Sequence, residues 1–290
     1  MDSNPRKQMK QSYESIEGRV LYRDALMIVL DKPAGMAVHR GPKGGASLED
    51  CFDDLRFGLP RTPALAHRLD RDTSGCLVLG RHRKALAHLG ALFKHGRVGK
   101  TYWAIVEGGP DAQEGEIDLP LGRLDATRGW WMKPDAKGLP ALTRWRVLGR
   151  AARSIASSLV GEAAAVGGGR GVVSNASADT PLPIPPPQGG REQQVETHER
   201  RDQALTWLAL EPVTGRTHQL RVHCAETGWP IVGDAIYGRA PRHGGPALHL
   251  HAAEVVVPLY PKREPIRVKA PVPAHMCELL AACGWKDAPR

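Results

Sequence analysis

Residues 67 to 75 read HRLDRDTSG, which sets a carboxylate, Asp70, between two guanidinium groups, Arg68 and Arg71. His67 precedes them and a second acid, Asp72, follows. Mixed charge is ordinary in a solvated turn. Here it runs directly into CLVLG, a short apolar run that reads as a buried strand. Charge packed this densely against a core strand has to be paired or used. A carboxylate beside a guanidinium is favoured in its charged form, and there it serves as nucleophile or base.

The second basic stretch is GRTHQLRVH, residues 215 to 223. Arg216 stands just before an expected helix start and Arg221 one turn in. Arginines at a helix N-terminus oppose its dipole unless an anion is near. A phosphate or a buried carboxylate would be that anion, and Asp70 is a candidate.

Two other chemistries fit less well. Asp70 and Asp72 match the Asp-x-Asp-x-Thr pattern of aspartyl phosphatases, but the fifth position is Ser74. The preceding LAHRL also lacks the continuous apolar run of a parallel core strand. Twelve histidines raise the question of a metal, yet His218 and His223 stand five apart, off the one-face spacing of a zinc pair. His249 and His251 would share a strand face without an acid beside them in sequence, so core or surface histidines are the simpler reading. Five scattered cysteines without a CxxC pair argue against a disulfide framework or a four-cysteine zinc site.

The elements that must position these motifs can be read from pattern. The chain has 290 residues, 41% of them hydrophobic, which is enough for one sizeable core. VLYRDALMIVLDKPAG, from residue 20, reads as two strand runs broken at Asp24 and ending in a turn. SLEDCFDDLRFGL has helical spacing with Ser47 as cap. RKALAHLGALFKHGRV is an amphipathic helix with Leu86, Leu89 and Phe93 on one face. KTYWAIVEG, ALTRWRVLG, ALTWLALEP, ALHLHAAEVVVP and PIRVKAP read as strands. GRTHQLRVHCAETG reads as a helix capped by Thr217 and stopped at Gly228. WPIVGDAIYG reads as a loop. The order is irregular and strict βαβ alternation is missing, which points to an α+β domain with a largely antiparallel sheet.

Composition separates two segments from this domain. Residues 1–16 form a polar tail, and 17–290 the domain proper. Residues 151 to 190 hold seven Gly and five Pro, no aromatic and four charged residues. A low-complexity, disordered insert over about 150–203, connecting two neighbouring strands, is expected.

The formal net charge is +9, and residues 61 to 100 carry nine Lys or Arg against two acids, Asp70 and Asp72. A basic excess centred on the unusual motif favours a polyanionic partner such as an RNA backbone. The N-terminus has no apolar targeting region and no run approaches the ~18 apolar residues of a membrane span. A cytoplasmic protein without a membrane partner is expected.

Taken together and in order, HRLDRDTSG, KTYWA and GRTHQLRVH resemble the pseudouridine synthases of the RluA type, and VLDKPAGMAVH and LHLHA resemble that family's flanking motifs. The resemblance covers about 20–149 and 204–275. It implies an α+β fold with a mixed, mainly antiparallel sheet split by a central active-site cleft. It implies an isomerase that converts specific uridines of ribosomal or transfer RNA to pseudouridine. The catalytic aspartate falls on Asp70, the tyrosine that packs on the uracil on Tyr102, and the arginine that pairs with the aspartate on Arg216. Leu220 would wall the base, while His67, Arg68, Arg71 and Arg221 would contact the RNA. The isomerisation exchanges no electrons, so it calls for neither a redox cofactor nor a metal. Many relatives carry a separate N-terminal RNA-binding module, and here only a short tail precedes the first motif, so a stand-alone monomeric catalytic domain is expected. The alternative is an RNA-binding assembly factor of the same fold that has lost catalysis, but Asp70 and Arg216 are both present.

Overall fold

The computed structural model describes residues 15–41, 44–125, 131–151 and 204–286. Most of the polar tail, and the insert from residue 152 to 203, lie outside the described residues. The strands in chain order are β1 (Val20–Arg23), β2 (Met27–Lys32), β3 (Ala64–Leu65), β4 (Ser74–Gly80), β5 (Gly99–Glu107) and β6 (Glu114–Asp118). They continue with β7 (Leu121–Arg123), β8 (Met132–Pro134), β9 (Leu142–Ala151), β10 (Leu205–Pro212), β11 (Leu250–Val257) and β12 (Ile266–Lys269). Among the described residues three α-helices accompany them: α1 (Arg83–Lys94), α2 (Gln219–Glu226) and α3 (Ala274–Ala282).

The main sheet runs β1-β2-β4-β11-β5-β10-β9-β6, with β3 beside β4 and β12 beside β11, while β7 and β8 form a separate ribbon. Pairings are antiparallel except β4 with β11. That parallel seam is short, joining Ser74 to His251 and Gly75 to Ala252. Gly75 has φ +103°, and a Cβ there would sit 2.3 Å from the Ala252 carbonyl oxygen. Only glycine allows the seam to close at this point, which explains the last letter of HRLDRDTSG.

The seam divides the sheet into two halves, each buried on both faces. In the first, Ile28 and Leu30 of β2 pack with Leu77, Leu79 and Phe52 on one side. Met27 and Val29 pack with Val78 and with Leu89 and Leu92 of α1 on the other. In the second half, Val106, Leu208 and Leu210 meet Leu220 and Cys224 of α2. Ile105, Leu205 and Trp207 meet Met276, Leu279 and Leu280 of α3. Tyr102 of β5 packs against a cluster from each half, so it stands where they join.

Three local expectations change. The helix after Ser47 is a 3₁₀ helix, Leu48–Leu55, entered through a bond from the Ser47 N–H to the Asp50 carboxylate at 2.9 Å. The buried face of α1 is Ala85, Leu89 and Leu92. Phe93 turns aside to stack on His67, ring centroids 4.4 Å apart. Helix α2 starts at Gln219 and is entered through His218 at φ 52°, not through Thr217. The preceding turn is tied by the Gln219 side chain, whose oxygen accepts from Thr214 Oγ1 and Arg216 N. Its amide donates to the Leu142 carbonyl and Thr143 Oγ1. That turn uses the residues a longer helix would have needed.

Candidate active site

An open cleft of 980 Å³ lies between the two halves, lined on one bank by the 67–73 loop and on the other by Pro212 to Arg221. Tyr102 and Leu250 form part of its floor. The loop sorts its side chains by direction. Leu69 is buried in the first core cluster, Asp70 enters the cleft, and Arg68 and Arg71 are exposed, Arg68 on the cleft lining.

Several contacts hold the loop to the core. The His67 ring accepts a bond from the Val78 N–H at 3.0 Å. Burial, with Lys100 adding to it, pushes His67 down to about 4, so the ring is a neutral acceptor. Lys32, at the end of β2, is fully buried. Its Nζ donates to the carbonyls of Pro33, Arg71 and Thr73, each at 2.8 Å. Burial pushes Lys32 down to about 7 against the opposing pull of Asp72 and Asp70. Three carbonyls match the three protons of the ammonium. Arg71 Nε donates to the Gly35 carbonyl at 2.9 Å, and Arg68 meets His39 Nε2 at 3.4 Å.

The Asp70 carboxylate, its side chain 28% exposed, has two facing groups. His218 Nε2 stands 3.8 Å from Oδ2 and Arg221 Nη1 stands 4.0 Å from the same oxygen. Both distances exceed hydrogen-bond length. The carboxylate is therefore charge-compensated with its lone pairs still open toward the cleft, as a reacting group requires.

The guanidinium beside Asp70 is therefore that of Arg221, which corrects the expected Asp70–Arg216 pair. Arg216 belongs to the turn before α2, and its Nε donates outward to the Pro140 carbonyl at 3.0 Å. It remains on the cleft lining. Arg221 lies in the first turn of α2 and is buried. Its Nε and Nη2 bond both oxygens of Asp234 at 2.8 and 2.7 Å. Burial opposes the Arg221 charge, but Asp234, with Asp70 behind it, more than offsets this and holds the guanidinium above its ordinary value. Burial likewise opposes the Asp234 charge, and Arg221 overcomes it, so the carboxyl sits below its usual range. The anion expected at this helix start is thus first Asp234, then Asp70.

Asp234 and Tyr237 come from the GDAIYG loop, which pattern alone presents as a simple turn. Gly233 has φ +79°, and a Cβ there would lie 2.1 Å from the Ala247 carbonyl oxygen. Asp234 Oδ1 also accepts from the N–H groups of Ile236 and Tyr237, at 2.9 and 3.0 Å. Tyr237 Oη contacts His218 Nδ1 at 2.8 Å and accepts from Met132 N at 2.9 Å.

Of the residues expected at the site, Asp70, Tyr102, His67, Arg68, Arg216, Leu220 and Arg221 line the cleft, whereas Arg71 does not. Burial first, then the Asp70 charge, push the Tyr102 hydroxyl well above its ordinary value, so it is a neutral phenol. Leu220 is 7% exposed, with most of its surface in the second-half core. Lys32, Asp234 and Tyr237, and the placing of His218 beside Asp70, are features of the site that sequence reading passes over. An acid isolated in the apolar WPIVGDAIYG was the available signal for Asp234, since a buried carboxylate needs a distant base.

Residues 26–226 match the family described as RNA pseudouridylate synthase. The chain is 37% identical over 263 residues to an uncharacterized RNA pseudouridine synthase of Zymomonas mobilis, covering 90% of this chain and 96% of that one. It is 30% identical over 274 residues to ribosomal large subunit pseudouridine synthase C of Vibrio cholerae, covering 91% and 69%. Human RNA pseudouridylate synthase domain containing 4 shares the fold, with a TM-score of 0.63 at 21% identity over 97% of each chain. The fold and cleft define a pseudouridine synthase architecture. The chain belongs to the RNA pseudouridine synthase family of the RluA type, a family of isomerases that act on RNA.

Proposed function

We propose that the protein isomerises specific uridines of ribosomal or transfer RNA to pseudouridine, with Asp70 as the catalytic residue. The reaction breaks the N1–C1′ bond, turns the uracil and joins C5 to C1′. C5 loses a proton and N1 carries one, so atoms and electrons balance within the nucleotide. A carboxylate opens this sequence, by attack or by taking the C2′ proton. The observation that carries the reading is a carboxylate at the cleft, flanked by Arg221 and His218 at 4.0 and 3.8 Å and bonded to neither.

The other residues take roles from their positions. Tyr102 lies where the two halves join and offers a neutral ring against which a flipped uracil stacks. Leu220 closes the apolar side of the base site. Arg68, Arg71 and Arg216, with Lys94 and Lys100 nearby, hold the phosphates on either side of the target. Among the described residues no helix is long and apolar enough to cross a membrane. The reading places the protein with its RNA in the cytoplasm, acting as one copy.

The test is to incubate the purified full chain with ribosomal and transfer RNA from cells lacking the gene, then map pseudouridine chemically. One or a few new sites in one RNA pool are expected. RNA that is bound but gains no pseudouridine would favour the assembly-factor alternative.

A further inference from the structure

Among the described residues only Phe57 and His218 are non-glycine residues with positive φ. Strain of this kind persists where surroundings impose it, and it gathers at functional positions. At His218, φ 52° turns the side chain from the start of α2 back between the GDAIYG loop and the 67–73 loop. The imidazole is 8% exposed. Nδ1 meets Tyr237 Oη and Nε2 faces Asp70.

Hydrogen-bond accounting fixes which nitrogen carries the proton. The Tyr237 oxygen already accepts from the Met132 N–H. Its own proton needs an acceptor, and among the described residues His218 Nδ1 is the acceptor within reach. Nδ1 is then unprotonated, and a neutral His218 holds its proton on Nε2, toward Asp70. The opposite tautomer would aim two N–H donors at one phenol oxygen, strand the phenol proton, and turn a lone pair toward a carboxylate.

We propose that Tyr237 is a positioning residue for the isomerisation, fixing His218 with its proton on Nε2 so that a neutral N–H donor faces the Asp70 carboxylate. This rests on the proposed role of Asp70. A neutral donor facing the carboxylate leaves its charge uncancelled, whereas an imidazolium would pair with it and blunt it as nucleophile or base. The surroundings set that balance. Asp70 and Asp72 on the loop and Asp234 beside Tyr237 favour the imidazolium, while burial, the largest influence, and Arg221 on α2 disfavour it, with the net direction downward. The GDAIYG loop thus aims both groups that face Asp70, Arg221 through Asp234 and His218 through Tyr237.

The experiment combines ¹⁵N NMR of the histidine ring nitrogens in the RNA-free protein with steady-state kinetics of wild type and Tyr237→Phe. Tyr237→Phe keeps the ring that meets His218 edge-on at 5.5 Å and lies 5.4 Å from the Arg221 guanidinium carbon. In wild type, His218 should show a protonated Nε2 and an unprotonated, hydrogen-bonded Nδ1 at neutral pH. In Tyr237→Phe a mixture of tautomers should appear, with kcat reduced about tenfold or more, KM for RNA unchanged and the acid limb of the kcat profile displaced. A purely packing role would leave tautomer and pH profile unmoved. A wild-type His218 protonated on Nδ1, or a Tyr237→Phe protein with unaltered tautomer and kcat, would overturn the proposal. The tautomer is read without RNA, so absence of activity in wild type would count against the proposed reaction and leave this measurement standing.

Discussion

The 67–73 loop and the start of α2 face each other across the cleft, and both are rich in arginine. On the loop, the side chains of Arg68 and Arg71 are exposed and, among the described residues, meet His39 and the Gly35 carbonyl. On the opposite bank, Arg221 is 3% exposed and bonded through two nitrogens to Asp234, while Arg216, five residues earlier, stays at the rim. One bank holds the carboxylate proposed to react, on a loop pinned through its backbone by Lys32. The other presents fixed charge from a helix clamped by side-chain pairs. An arginine's role here follows from whether its element turns it into the core, not from its closeness to Asp70 in sequence.

The sharpest way to break that comparison is to remove the two arginines of the second motif separately. Arg221→Met leaves Asp234 buried without its partner and strips the cation beside Asp70. It should cost about 3–5 kcal/mol of stability and lower kcat by more than ~100-fold. Arg216→Ala should leave kcat within about threefold and reduce the salt slope of RNA binding by about one. Equal effects of the two on kcat would dissolve the distinction between clamped and rim arginines.

The loop bank is tested through Lys32. Lys32→Met leaves the Pro33, Arg71 and Thr73 carbonyls without their shared donor and should cost about 3 kcal/mol in urea unfolding. Activity should fall further than stability accounts for, because Asp70 directly precedes the two loop anchors, Arg71 and Thr73. A variant with normal kcat would mean that the loop needs no anchor from β2.

A smaller effect is expected in acid. Burial first, with His275 adding to it for both, pushes His249 and His251 down to about 4. The unfolded chain, with histidines near 6.5, therefore binds more protons than the folded one between about 6.5 and 4. The contribution is complete above 6.5 and is lost as pH falls toward 4, at up to about 3 kcal/mol for each residue. Urea unfolding from pH 7.5 to 4.0 should follow that slope, and the double variant His249→Gln/His251→Asn should reduce it, leaving the part that His67 contributes.

What the sequence made legible, and what it did not, follows from range. Strands β2, β4, β5, β9, β10 and β11 announce themselves through local apolar runs, and glycine marks the turns. The Asp70 environment is built from longer separations: Lys32 reaches Arg71 and Thr73, Arg221 reaches Asp234, and Met132 and His218 meet at Tyr237. No local period encodes such contacts. Arg216 and Arg221 look alike in the string because the residue that separates them, His218, enters α2 in a left-handed conformation that propensity does not foresee.

The smallest expected effect concerns the link between β9 and β10. Ala151 and Leu205 are register partners, so a short turn can join these strands. Replacing 152–203 with a Gly-containing turn should change stability by about a kcal/mol or less and leave turnover on the natural RNA near normal. A folded, RNA-binding variant that no longer modifies its natural uridine would assign RNA choice to that segment.

The most direct measurement of the central claim is single-turnover pseudouridine formation by Asp70→Asn on the RNA identified by mapping, beside its RNA dissociation constant. The account predicts turnover reduced by at least about 1,000-fold, with affinity within about twofold of wild type because binding rests on phosphate contacts. Turnover within about tenfold of wild type at unchanged affinity would contradict it and take the reacting carboxylate away from Asp70.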